Sequence, residues 1–246
     1  MGIRKTLSMK NKNLYVAACR TMAAIAFVAS SVGIARAQFV WDFGTGSGTA
    51  SPSGSVTGLT AGDVTVANNI SVLEDMLTTN SPSSGYAGAS GNFNAGIAAK
   101  TGVLDPILSS YFQFILTPAS GAAVNLSGIS FGSFSFNDGL TISGPTSYAI
   151  RTDIDNFAVS LGSGSLSANN AWSLQSPSIT AATGALNTPV TVRIYGAGAL
   201  GTALSNTWRV DDLSVTAAAI PEPGSLVLLS LCALPGVALL RRRALL

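Results

Sequence analysis

Short runs of β-branched and aromatic residues, alternating with small polar ones and closed by Gly, Pro, Asn or Ser, recur from Gln38 to Thr216. A period of two places successive side chains on opposite faces, so each run reads as a half-buried strand. The runs are Phe39–Phe43, Val64–Ala67, Tyr111–Thr117, Ile129–Phe136, Ser147–Thr152, Phe157–Leu161, Val190–Tyr195 and Thr207–Thr216. In Val190–Tyr195 the pattern puts Val190, Val192 and Ile194 on one face. In Ile129–Phe136 the pair Gly132-Ser133 shifts the phase, which predicts a bulge there. Ile70–Leu77 fits either a helical turn set or a strand. Abundant Gly, Ser, Thr, Ala and Asn with few Lys or Glu are poor helix chemistry. Many short strands with turn-rich spacers predict an all-β fold, an antiparallel β-sandwich over residues 38–219. A stretch of about 180 residues suffices for one such core and is too short for two.

Charge is segregated. Between residues 38 and 219 the only cations are Lys100, Arg151, Arg193 and Arg209, against ten Asp and Glu, a formal net of −6. The remaining Lys and Arg lie at the two ends, so the whole-chain pI near 8.7 misdescribes the middle. Without a basic stripe, the middle has no footprint for nucleic acid. Cys19 and Cys232 lie at the ends, leaving no thiolate or disulfide in the sandwich region. The chain has no histidine, which removes the commonest general base and transition-metal ligand.

The N-terminal end has three parts: a basic stretch through Arg20, an apolar run Met22–Val32, and Ala35-Arg36-Ala37 before Gln38. That order predicts a signal peptide over 1–37, with Ala35, Ala37 and Gln38 at the signal peptidase site. The partners implied are the Sec translocon and signal peptidase. The alternative is an uncleaved anchor, for which the run falls short of the ~20 residues a spanning helix needs.

The C-terminal end, Ile220–Leu246, also has three parts. Pro221-Glu222-Pro223 cannot continue a regular helix or strand, because each proline fixes φ and lacks a donor. Leu226–Leu240 is apolar and short for a full span. Arg241, Arg242 and Arg243 would stop in the cytoplasm by the positive-inside rule. In that order at the end of a chain, these features resemble the PEP-CTERM sorting signal. The resemblance covers residues 220–246 and implies a signal helix in front, a transmembrane helix behind, and processing near Pro221–Pro223 by an exosortase-type membrane protease. It also implies a Gram-negative bacterium that makes exopolysaccharide. The localisation expected is an inner-membrane intermediate, then the cell surface or extracellular matrix. A plain tail anchor is the alternative.

Phe39-Val-Trp-Asp-Phe43 and Trp208-Arg-Val-Asp-Asp-Leu-Ser-Val215 resemble the first and last strands of jelly-roll domains of the carbohydrate-binding and laminin-G-like kind. In such jelly rolls a structural calcium ties first strand to last, which nominates Asp42 and Asp212 here. Asp211 and Asp212 are neighbours on one strand, so one of them shares a face with apolar residues and needs a partner. Calcium suits it, as a hard cation taking oxygen ligands. The alternatives are an ion pair with Arg209, Arg193 or Arg151, or plain solvent exposure. Asp153-Ile-Asp155-Asn156 lacks the spacing of a calcium loop and reads as an Asx turn.

No pair of carboxylates is spaced as a glycosidase would need, and a serine nucleophile would have no histidine base. Gly44–Gly48 lacks the Lys of a phosphate loop. No catalytic residues are nominated and no cofactor is required, a structural calcium being the one the pattern admits. Tyr86, Phe93, Tyr148 and Trp172, in or beside Gly/Ser-rich loops, could stack on sugars or close the core edge. The function expected is that of a non-enzymatic surface or matrix protein associated with exopolysaccharide in a biofilm. The alternative is a carbohydrate-binding module that grips the polymer directly.

Overall fold

The computed structural model describes residues 37–44, 51–68, 77–80, 82–201 and 207–222. Ala35, Pro223, Arg241–Arg243, the apolar runs at both ends, 45–48 of the glycine loop and 70–76 lie outside the described residues. Among the described residues thirteen strands follow in chain order: β1 Ala37–Trp41, β2 Leu59–Ala61, β3 Thr65–Ala67, β4 Leu77–Asn80, β5 Phe93–Ile97, β6 Tyr111–Pro118, β7 Ala122–Ser135, β8 Ser147–Thr152, β9 Gly162–Ser165, β10 Trp172–Gln175, β11 Ala182–Thr183, β12 Val190–Ala197 and β13 Trp208–Pro221. Asp153–Asp155 forms one 3-10 turn. Among the described residues no helix is long and apolar enough to cross a membrane.

The strands form two antiparallel sheets. One has seven strands, ordered β10-β7-β13-β5-β4, with β1 also on β13 and β11 on β7. The other has six, ordered β2-β6-β12-β8-β9, with β3 also on β6. The sheets face each other through aromatic side chains. Trp41 meets Phe114 at 4.9 Å between ring centres, Phe112 meets Trp208 at 4.8 Å and Phe131 meets Tyr148 at 5.1 Å. Strict alternation supplies the inner layer: Phe112, Phe114 and Leu116 from β6, Val190, Val192 and Ile194 from β12. Their neighbours Tyr111, Gln113 and Ile115, with Thr191 and Arg193, therefore point outward. The expected antiparallel sandwich is present.

Three local expectations change. Phe157–Leu161 is not a strand: Asn156 and Phe157 both have positive φ, 58° and 59°, and turn the chain sharply before β9. Of the three alternating side chains there, Phe157 lies in that turn and Leu161 follows it, its amide donating to the Ile150 carbonyl at 2.8 Å. Second, β7 keeps its phase through Gly132-Ser133, with Phe131, Ser133 and Ser135 buried and Phe134 outside. The extra residue opposite Gly132 lies on the partner strand, where the register with β13 slips between Asp211 and Ser214. Asp212 sits there with φ 47°. Third, the last strand, expected over Thr207–Thr216, runs from Trp208 on to Pro221, which pairs with Ala122 although its proline was expected to end regular structure. Its long partner β7 supplies the carbonyls and amides that carry it there.

Candidate functional site

The bulge on β13 places the two adjacent aspartates in different surroundings. Asp212 is enclosed by donors from the 83–90 loop. Its Oδ2 accepts from Tyr86 OH at 2.5 Å, the Ser90 amide at 3.1 Å and Ser83 Oγ at 3.2 Å, and its Oδ1 from Ser90 Oγ. Burial and the Asp212 charge push the Tyr86 phenol well above its ordinary range, so it remains a donor. Asp212 thus sits in a cage of hydroxyls and an amide. Gly132 makes room for it, because a Cβ there would stand 2.0 Å from the Tyr86 hydroxyl and 2.4 Å from Cζ. Gly132→Ala is expected to destabilise by about 1–3 kcal/mol, by displacing the ring and parting the hydroxyl from Asp212. Urea melts of Gly132→Ala, Tyr86→Ala and the double variant check this. The double variant should lose less than the sum of the two single losses.

Asp211 is fully buried. Its Oδ1 accepts the Asp212 amide at 2.8 Å, and its Oδ2 has no hydrogen-bond partner. Burial above all, with the charges of Asp212 and Asp42 adding, pushes its carboxyl up to about 7. Asp42, the other residue nominated for calcium, holds the Gly44 amide at 3.2 Å. A cation on Asp212 would have to displace its donors. Two buried carboxylate oxygens have no hydrogen-bond partner, Asp211 Oδ2 and Asp155 Oδ1, and no group of three His, Cys, Asp or Glu surrounds either among the described residues.

The other described aspartates hold turns or tie one segment to another. Asp138 Oδ1 accepts the Leu140, Thr141 and Ile142 amides, and these bonds hold its carboxyl below the usual range. Asp105 accepts the amides of Ile107 and Leu108, Asp63 the Ser51 hydroxyl, and Asp155 the Val159 amide. Asp153 reaches across to the Thr191 amide. Every described aspartate accepts at least one such bond.

Of the aromatics nominated for sugars, Tyr148 is buried between the sheets and Tyr86 is engaged with Asp212. Phe93 packs on the core edge. Trp172 is half-buried against Phe134 on the outer side of the seven-stranded sheet.

A different surface gathers more chemistry. On the outer face of the six-stranded sheet the register aligns Thr65, Gln113, Arg193 and Arg151 in one row across four strands. Tyr111, paired with Tyr195, occupies the row beside it. The Arg193 guanidinium lies between two rings, 4.2 Å from the Tyr111 centre and 3.9 Å from the Phe157 centre. Its Nε donates to Gln113 Oε1 at 2.7 Å and its Nη1 to Tyr195 OH at 3.2 Å. Tyr195 OH in turn donates to the Pro106 carbonyl at 3.1 Å. Burial raises the Tyr195 phenol, and Arg193 draws it part-way back. Arg151 Nη1 donates to the Phe157 carbonyl at 2.8 Å, which fixes the turn that brings the Phe157 ring over Arg193. Sequence reasoning passed over this group. Its signal lay in the same alternation that marked Val190, Val192 and Ile194 as core, since the intervening Arg193 must then face outward.

Of the residues nominated for processing, Ala37, Gln38, Pro221 and Glu222 are described. Gln38 is exposed in β1, opposite Thr216, and the preceding Ala37 pairs with Ala217. Pro221 closes β13, and the Glu222 amide donates to the Gly121 carbonyl at 3.0 Å, with both residues exposed.

No protein-family model and no curated protein matches the chain. Among solved structures it is similar to the family 11 carbohydrate-binding module from Clostridium thermocellum in complex with a β-1,3-1,4-mixed-linked tetrasaccharide. That likeness has 14% identity and a TM-score of 0.31, over 75% of this chain and 98% of that one. It is similar also to the K3 cleaved adhesin domain of Lys-gingipain from Porphyromonas gingivalis, with 18% identity, 56% and 83% coverage and a TM-score of 0.28. A third is the N-terminal cellulose-binding domain of Cellulomonas fimi β-1,4-glucanase C, with 8% identity, 65% and 88% coverage and a TM-score of 0.27. Likeness at this level leaves function to the residues themselves.

Proposed function

We propose that this chain is an exported, non-catalytic surface or matrix protein of a Gram-negative bacterium, working among exopolysaccharide. The leader and the Pro221-Glu222-Pro223, apolar, Arg241–Arg243 tail support export, an inner-membrane intermediate and release by an exosortase-type protease. The non-catalytic reading is supported by the described aspartates, each of which accepts at least one hydrogen bond that holds a turn, a strand contact or the β13 bulge. Direct grip on the polymer is the second reading, and one observation favours it. The outer face of the six-stranded sheet presents rings, guanidinium groups and an amide side by side. Rings stack on the apolar face of a sugar while planar donors take its hydroxyls.

The geometry of Pro221 and Glu222 bears on processing. Because Glu222 is tied to Gly121, a protease can reach an unpaired backbone only beyond it, unless the end of β13 frays. Intact mass of the protein from membrane, surface and medium of its host tests the delivery reading. The expected mature form begins at Gln38 and ends between Glu222 and Ser225. A form that keeps Leu226–Leu246 in the inner membrane would reduce the tail to an anchor and leave the sandwich facing the periplasm.

A further inference from the structure

Arg151 and Arg193 stand directly opposite each other in the antiparallel ladder between β8 and β12. Like charges in that position repel and cost the sheet stability. Neither makes an ion pair with a described residue: their contacts are Gln113, Tyr195, the Phe157 carbonyl and two rings. Asp153 and Asp155 are the acids nearest Arg151 in sequence, and each directs an oxygen to a backbone amide instead, those of Thr191 and Val159. A guanidinium carries more N–H donors than these partners take up, and Arg151 Nε is buried with no acceptor at all. The placement is also uneven. The region has four cations against ten acids, and two of the four are set side by side on this one face.

We infer that the outer face of the six-stranded sheet binds an acidic polysaccharide, with Arg151 and Arg193 together taking a uronate carboxylate and Tyr111 and Phe157 flanking the sugar. Arginine suits this task because its planar fork matches a carboxylate in two parallel hydrogen bonds. Stacking between Tyr111 and Phe157 and the bond to Gln113 hold the Arg193 fork in place before the ligand arrives, which lowers the ordering cost of binding. The ligand site rests on reading this face as a polysaccharide contact, and it adds the charge of the polymer.

The test is affinity electrophoresis of the full chain, in mild detergent, through gels containing sodium polygalacturonate, the same polymer with its carboxyl groups reduced to alcohols, or dextran. The expected result is retardation by polygalacturonate alone, weakening as salt rises. Arg151→Gln should reduce that retardation roughly tenfold or more, the effect of losing one charge-assisted hydrogen bond, with its melting temperature as the control for folding. Reduction of the polymer leaves the protein untouched, so it tests the carboxylate even where Arg193→Gln fails to fold. Equal retardation by the acidic and reduced polymers would overturn the charge inference and leave polysaccharide binding standing. Retardation by the acidic polymer that Arg151→Gln does not change would overturn the site. No retardation by any polymer would overturn both this inference and the direct-grip reading.

Discussion

Melted in buffers from about pH 4 to about pH 8, the protein is expected to lose stability as the pH rises, with the loss centred on Asp211. Its carboxyl titrates near 7 in the folded chain, because it is buried beside Asp212 with one oxygen unpartnered. Unfolded, it titrates in the ordinary carboxyl range. Between those values the folded chain holds a proton that the unfolded chain has released, so folding is favoured at the acid end. The contribution is complete below the unfolded value and is lost as pH climbs through about 7. At about 1.4 kcal/mol per pH unit, the ceiling is on the order of 4 kcal/mol. Asp138 acts with the opposite sign, its depressed carboxyl costing stability only at pH values below that window.

Asp211→Asn should flatten the profile and raise the melting temperature at about pH 8, since the amide keeps the shape without the buried charge. Calcium is the rival occupant of Asp211 Oδ2. If millimolar calcium lifts the melt at about pH 8 and chelator reverses it, Asp211 is an ionised ligand, and Asp42, whose charge also acts on it, is a candidate companion. A melt that ignores both additions, with the fall toward high pH intact, counts against the cation.

Trp208→Ala is expected to cost about 3–5 kcal/mol, a large share of the stability of a domain this size. Trp208 is fully buried, meets Phe112 at 4.8 Å and donates from Nε1 to Ser133 Oγ at 3.0 Å. Gly196 leaves the space its ring fills, a Cβ there standing 2.7 Å from Trp208 Cζ3. The truncation therefore opens a cavity between the two sheets and leaves the Ser133 hydroxyl without its donor. Trp208→Phe should lose about 1–2 kcal/mol, keeping most of the packing but not the hydrogen bond. Denaturant titration separates the two. A Trp208→Ala loss no larger than that of Trp208→Phe would mean the sheets collapse onto the vacated space.

Strands whose inward and outward residues differ sharply in polarity were legible from the chain alone. Ser147–Thr152 appears in the structure with the expected bounds, and Val190–Tyr195 and Tyr111–Thr117 with small extensions. Phe157–Leu161 misled because a half-buried ring in a tight turn has the same composition as a short strand. The turn depends on Asn156 and Phe157 at positive φ and on a hydrogen bond from Arg151, which alternation does not record. Gly132 misled for a related reason. Its missing side chain marks a close approach, but by Tyr86 from a distant loop rather than by a bulge in its own strand.

By itself the sequence determined the class: antiparallel strands, one core, few cations, no histidine, and two chemically distinct ends. These follow from residue types and their period, which are local properties. Which of two adjacent aspartates would be buried was decided only by the tertiary structure. The slip opposite Gly132 and the arrival of Ser83, Tyr86 and Ser90 place Asp212 in a cage of donors and leave Asp211 inside the core. The same holds for the outer face, where Tyr111, Arg151, Phe157 and Arg193 come together from three strands and a turn. Cross-strand register sets such neighbours, and it arises from how two whole sheets pack, which no single segment of the chain encodes.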